Sequence, residues 1–430
     1  MDRAPHPLSI HNFRAFWAAR LMMNLAQYSM MLLIGWQTYN IARETMDTGA
    51  AAAQLGLIGL LQFLPLFFLT PVSGWVADRM NRRAVGMATV ALQLACALVL
   101  AGFTWRGAMD LPVLFTIAVF LGVARAFNGP ALGALAPNLV PPAVLPNAIA
   151  LSSISWQAGM VAGPALGALV YARAPAGAYL VSVGLFALAL LCLATIGKVP
   201  RSAIPGAQHP IAQMVDGVRY VFRNRMVLGA ITLDLFAVLL AGSTALLPVF
   251  ARDILHVGAQ GLGWLAAAPA SGAVVTALYF SFRPLKTNVG PKMLGAVALF
   301  GVAAIGFGLS RSLPLSIACL FVGGAADMFS VYIRQSLIQL HTPDPMRGRV
   351  SAASLLTISA SNELGEAESG FLAALIGPVA AVIAGGVGAI AVVLLWSRWF
   401  PELRRARTFD PPEAARRSEL PEQTMQEKLS

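Results

Sequence analysis

Long apolar runs separated by short polar turns set the pattern of this chain from end to end. Twelve runs stand out, at 14–41, 53–76, 84–104, 111–137, 147–172, 177–197, 226–251, 260–282, 290–310, 313–340, 350–375 and 379–399. Each is about 20 residues or longer, enough for a helix to cross a hydrocarbon core of ~30 Å. The roughly ten-residue alternating segments of a membrane β-barrel do not occur. The pattern predicts an all-α membrane protein of twelve transmembrane helices. Most breaks are short. The break at 198–225 is long and polar, carries the amphipathic stretch MVDGVRYVFRNR, and divides the runs into two sets of six. The expected organisation is a six-helix bundle at 1–197, a cytoplasmic linker at 198–225, a second six-helix bundle at 226–400 and a polar cytoplasmic tail at 401–430.

Composition sharpens this picture. Charged residues make up 11% of the chain, hydrophobic ones 57%, and the mean hydropathy is +0.71. A soluble domain carries roughly 25% charged residues, so a soluble multidomain protein is excluded. The net charge of +11 does not point to nucleic acid, because the basic residues are spread through the turns. They favour one face. The opposite face receives only Arg43, Arg106, Arg173, Arg252 and Arg311, which places both termini in the cytoplasm of a bacterial-type inner membrane. Cys96, Cys192 and Cys319 all lie in apolar runs and read as small hydrophobes. No metal set, phosphate-binding loop or catalytic constellation is visible, so neither an enzyme nor a cofactor is expected. The first run is a full span and is expected to be retained. The chain is expected to work as a monomer.

The two halves resemble each other. GVARAFNGPALGALAPNLVP (122–141) laid over GGAADMFSVYIRQSLIQLHTP (323–343), with a slide of 202, pairs Gly122 with Gly324, Ala124 with Ala326, Phe127 with Phe329 and Pro141 with Pro343. The same slide pairs Gly163 with Gly365. Internal repeats among twelve spans point to a transporter built from two related bundles, with its substrate between them near the midplane.

GWVADRMNRR, between spans two and three, resembles the loop motif of the major facilitator superfamily at Gly74, Asp78, Arg79, Arg82 and Arg83. Asn81 stands where the family often has glycine and is expected to keep a tight left-handed turn. Gly74 is expected where two helices pack closely. The resemblance implies that Asp78 meets the start of span eleven and latches the cytoplasmic side. Span four, LGVARAFNGPALGA, is similar to the family's arginine motif at Arg125, Asn128 and Gly129; in proton-coupled exporters that arginine is linked to proton transfer. Span five, GMVAGPALGA, resembles the antiporter motif at Gly159, Gly163, Pro164 and Gly167, with Ala168 in place of its last glycine. Within the superfamily the chain resembles the enterobactin-exporter-like branch, through NFRAFW, LDLFAVLLAGSTALLPVFARD and SASNELGEAESGFLAALIG. The resemblance implies proton-coupled export of a small organic molecule, a siderophore or a drug; the same fold can also import a solute with protons.

Ionisable groups inside spans are costly and therefore functional candidates. Here they are Arg20, Arg125, Asp234, Asp327, Arg334, Glu363, Glu366 and Glu368. Arg125 and Asp327 are equivalent in the repeat and are expected to form a charge pair or share a network, unless each is satisfied within its own half. Asp234, then Glu363 or Glu366, is the expected proton carrier, with Arg125 as the switching partner. Glu363 and Glu366 share a helix face. Arg20, Asn24 and Gln27 form a polar stripe on span one that is expected to line the central cavity, although Arg20 can equally snorkel to the cytoplasmic face; Asn24, Gln27 and Asn128 are candidate polar contacts to substrate. Tyr28, Phe127, Trp156, Phe236, Phe329 and Tyr332 are candidate substrate contacts, or else helix packing. The expected partners are a small-molecule substrate, protons and the lipid bilayer.

Overall fold

A computed structural model describes residues 6–133, 135–141, 144–197, 210–283 and 285–409. The tail from 410 and residues 198–209 of the linker lie outside the described residues. The described residues are helical, with no strand. Span one is His11–Thr45, span two Thr48–Arg79, span three Arg82–Trp105, span four Leu111–Gly133, span five Leu145–Tyr171 and span six Pro175–Thr195. The linker helix is Pro210–Arg223. Span seven begins at Arg225–Leu240; spans eight to twelve are Gly258–Phe282, Val289–Leu309, Leu313–Leu340, Asp344–Ile376 and Pro378–Trp399.

Span ends follow local chemistry. Asp47 caps span two by accepting from Ala50 N at 2.7 Å, and Asn224 caps span seven by accepting from Met226 N at 3.1 Å. Prolines open spans six, ten and twelve, where a missing N–H costs nothing. Span seven differs from the expected single run. It stops at Leu240, passes through a 3-10 turn at Ser243–Leu246, and ends in a π turn at Phe250–Ile254. Span four stops at Gly133 and span eleven starts at Asp344, several residues earlier in each case than hydropathy alone suggests.

By length and composition, nine of the described helices are able to cross a membrane. Spans one, five and eleven fall outside that set. Span one carries Arg20, Asn24, Gln27 and Gln37, span five four polar residues among 152–157, and span eleven three glutamates. A spanning helix with that many polar groups needs a protein or aqueous surround, so these three belong at the centre of the molecule.

The repeat governs packing. A Cβ built on Gly122 of span four would overlap the Gln62 carbonyl of span two, and one on Gly324 of span ten would overlap the Pro269 carbonyl of span eight. Likewise a Cβ on Gly163 of span five would sit 2.9 Å from the Leu25 carbonyl of span one, and one on Gly365 of span eleven 2.9 Å from the Val238 carbonyl of span seven. Residues paired by the slide thus pack equivalent spans: four on two as ten on eight, and five on one as eleven on seven. This is the two-bundle arrangement of the major facilitator fold, with pseudo-symmetric halves.

One apolar core joins spans one, three, four, five and six around Phe13, Phe16, Tyr179 and Phe186. Another joins spans seven, nine, ten and twelve around Met293, Leu337 and Trp396. A third lies across the seam between the halves, on the face opposite the termini; there Trp36, Tyr39 and Leu55 meet Leu247, Phe250 and Leu262.

Candidate functional site

The central feature is an ion pair across the seam. Arg125 of span four places Nη2 2.6 Å from Glu363 Oε1 of span eleven. Glu363 is buried, and the Arg125 side chain is one quarter exposed. Gly122, one turn before Arg125, draws span four against span two, so that Arg125 Nη1 also reaches Gln62 Oε1 at 3.5 Å. On the carboxylate side, a Cβ on Gly59 would lie 3.6 Å from the Glu363 carbonyl, so span two lies close beneath span eleven. Glu366 is one turn further on and accepts from the Thr244 hydroxyl at 3.4 Å. Opposite charges brought together out of water attract strongly, but each is expensive if its partner leaves.

Buried polar atoms with no partner among the described residues include Glu363 Oε2 of the pair itself, Gln93 Oε1 in the recess beside Arg125, Asn128 Oδ1 on span four and Asn24 Nδ2 on span one. Gln27 Oε1 accepts from Gln93 Nε2 at 3.4 Å. Gln27, Gln62, Gln93 and Arg125 line a small recess with Met30, Met31, Leu121 and Phe186. Polar groups buried without partners are rare in folded proteins.

Two expectations need correction. Arg125 pairs with Glu363, not with Asp327. No hydrogen bond or ion pair to Asp327 is found among the described residues. Asp234 does not face Arg125 either. It forms an ion pair with Arg334 of span ten inside the second half, where both side chains are nearly inaccessible. The physical reason is geometric. Residues equivalent in a twofold repeat occupy matching places on opposite walls, and matching places need not touch. Glu363 belongs to the span that crosses the seam beside span two, within reach of Arg125.

The aromatic candidates divide. Tyr28 stands beside Trp156, where spans one and five meet. Phe127 is half-buried on span four. Phe329 and Tyr332 pack on Phe280, with centroids 4.9 and 4.2 Å apart, and Phe236 packs on Trp396 at 5.2 Å. Those three belong to helix packing in the second half. Arg20 lies 5.8 Å from the centre of the Phe16 ring. Glu368 Oε2 is buried without a partner among the described residues.

Span five presents its glycines to span one. A Cβ on Gly159 would overlap Asn24, and one on Gly167 would overlap Ser29. Pro164, inside the helix, turns its carbonyl towards Gly263 of span eight, and a Cβ on Gly263 would overlap Ala168. The close approach lost at Ala168 is recovered by a glycine across the seam.

The loop between spans two and three departs from expectation. Asn81 has φ −67° and is extended, not left-handed; its Oδ1 caps span three by accepting from Arg83 N at 3.0 Å. Arg83 donates to the carbonyls of Ile196 and Ala194, closing the end of span six. A Cβ on Gly74 would meet nothing within 4 Å, so no close helix contact requires glycine there in this conformation. Arg79 and Arg82 both have partners. The Asp78 side chain lies outside the described residues. The linker helix holds the start of span eleven, where Arg349 pairs with Asp216 at 3.1 Å, and the end of span ten, where Tyr220 donates to the His341 carbonyl at 2.6 Å.

The face opposite the termini carries a cluster that sequence reasoning missed. Asp253 Oδ2, in the π turn of span seven, accepts from Tyr39 at 2.6 Å and Arg43 at 2.9 Å, both on span one. Arg252 donates to Asn40 Oδ1 at 2.7 Å. The ARD sequence at the end of span seven was a visible signal, but Arg43 and Arg252 were counted only as loop charges. Gln62 and Gln93 were also missed, though each is an amide in the middle of a long apolar run.

The profile of a family described as transmembrane secretion effector matches residues 4–430. The chain is 27% identical over 410 residues to the enterobactin exporter EntS of Escherichia coli O6:K15:H31, covering 94% of this chain and 95% of that one. It is 28% identical over 411 residues to the enterobactin exporter EntS of Citrobacter koseri, with the same coverage of each. Among solved structures, a bacterial homolog of the human lysosomal transporter Spinster, inward-facing and unoccupied, superposes with a TM-score of 0.71 at 17% identity, over 92% of this chain and 99% of that one. A D-xylose-proton symporter superposes at 0.69 with 14% identity, over 90% and 98%.

Proposed function

The chain belongs to the transmembrane secretion effector family of major facilitator transporters, and on that premise we propose that it exports a small organic molecule in exchange for protons. The Arg125–Glu363 pair carries this reading. Alternating access requires contacts across the seam to break and re-form in each cycle. With Glu363 ionised, the pair ties span four to span eleven. A proton on Glu363 removes its negative charge, and Arg125 keeps only the longer contact to Gln62. Protonation is thereby coupled to opening of the seam, and Glu366, one turn away, offers a second carboxyl on the same helix face. Asp234, locked to Arg334, serves as a fixed structural pair rather than as the carrier.

The bias of basic residues to the face of the termini supports a cytoplasmic location for both ends, so the Tyr39–Asp253 cluster lies on the outer side. The bundles at 1–197 and 226–400 move against each other, joined by the linker at 198–225. The substrate belongs to the chemical class of the relatives' named cargo, a siderophore, held near Asn24, Gln27, Tyr28, Asn128 and Trp156. Everted vesicles energised by respiration test the direction. On adding enterobactin or a smaller catecholate, exchange makes the lumen more alkaline in wild type and leaves it unchanged in Glu363→Gln. Further acidification of the lumen would show symport and overturn the export reading.

A further inference from the structure

We propose that the end of spans nine and twelve on the terminal face holds the phosphodiester headgroup of an anionic membrane lipid. Lys292, Arg404, Arg405 and Arg407, with Asn288 and Pro291, line an open basin of about 620 Å³. All four cations are exposed. Among the described residues no carboxylate engages Lys292, Arg404 or Arg405; the nearby Glu402 is committed to Arg225 at 3.0 Å. Four like charges in one basin repel, and an anion is what offsets them.

The basin is fixed by its frame. Asn288, left-handed at φ 54°, accepts from Arg407 Nη1 at 2.7 Å. Gly290 donates its N–H to the Ala406 carbonyl at 3.0 Å, and a Cβ there would overlap the Leu403 carbonyl. Leu403 is fully buried in the core of the second half. The segment bearing three arginines is thus bolted to the start of span nine.

The surroundings select lipid over free phosphate. Trp399, at the end of span twelve, is 59% exposed, and Phe282, at the end of span eight, is 82% exposed. An exposed tryptophan at a span end marks the depth of the headgroups. A lipid phosphate sits at that depth with its acyl chains against the adjoining spans, and basic pockets at this level take anionic headgroups.

The test uses the full chain in a neutral detergent, with added phosphatidylglycerol, phosphatidylcholine or inorganic phosphate at matched concentration. Phosphatidylglycerol should raise the thermal midpoint by about 2–4 °C, and the other two should not. The variant Lys292→Gln/Arg404→Gln/Arg405→Gln should lose the shift, and Arg404→Lys/Arg405→Lys should keep most of it. An equal shift from inorganic phosphate would make this a free-anion site. An equal shift from phosphatidylcholine, or an unchanged shift in the neutralised variant, would also overturn the proposal. If the triple variant does not fold, native mass spectrometry of Arg405→Gln decides: an unchanged amount of retained phosphatidylglycerol refutes the site.

Discussion

Glu363 and Arg125 meet at 2.6 Å, one from each half of the molecule, and no other ion pair among the described residues joins the two halves near the midplane. The arginine has a fallback acceptor in Gln62, whereas the second oxygen of Glu363 has no partner among the described residues. The carboxylate is therefore the member whose charge decides whether the pair exists.

Replacing Glu363 with glutamine keeps its shape and removes its charge. Proton-driven exchange should fall by on the order of a hundredfold, because the variant cannot alternate between paired and unpaired states. Substrate exchange without a pH gradient should persist. Equal loss of both activities would instead mean a role in binding or folding.

Asp234 and Arg334 should behave differently. Removing either partner alone leaves a buried charge and should cost about 3–5 kcal/mol of stability. Asp234→Leu combined with Arg334→Met should recover most of that. Thermal unfolding of both single variants and the double variant gives the coupling energy directly. An Asp234→Asn variant with normal stability but no proton-driven transport would return Asp234 to the role of carrier.

Two glycines in helix interiors make a matched comparison. A Cβ on Gly122 overlaps the span-two backbone, while one on Gly184 meets nothing within 4 Å. Gly122→Ala should destabilise by about 1–3 kcal/mol. Gly184→Ala should be neutral or stabilise by up to roughly 1 kcal/mol, because alanine favours the helix. The unfolding midpoint should fall for Gly122→Ala and should stay or rise for Gly184→Ala.

The outer cluster should set how often the outer side opens. Tyr39→Phe with Arg43→Gln removes two hydrogen bonds to the Asp253 carboxylate. Bonds to charged groups are worth roughly 1.5–3 kcal/mol each, so losing two should raise the open fraction by about a hundredfold or more. Labelling of a cysteine at Gln27 by an impermeant reagent added from the outside reads that fraction.

Much of this architecture was legible in the sequence because membrane helices must satisfy their backbone internally and must be long enough to span. Span number and the repeat came from that logic, and the place of Arg125 inside a span marked it as a candidate. The glycines paired by the slide of 202 became matching contacts in space. Ion-pair partners were not legible. Hydropathy fixes the depth of a charge, but its rotation about the helix axis and its neighbouring helix depend on packing. Arg125 thus reached Glu363 instead of Asp327, and Asn81 became a helix cap instead of a left-handed turn. The break in span seven had a local signal in Gly242, Ser243, Thr244 and Pro248, but the apolar residues on either side keep the hydropathy run unbroken across it.

That break separates two pieces of span seven with different loyalties. The stretch up to Leu240 is keyed to its own half, whereas the π turn beyond it is tied to span one. An elbow of this kind would let the tip unfasten from its neighbour before the shaft behind it tilts. If the halves reorient, they should then do so by an ordered unclipping rather than one concerted swing, with a rate set by a handful of bonds at the tip more than by the mass of packed helix behind them.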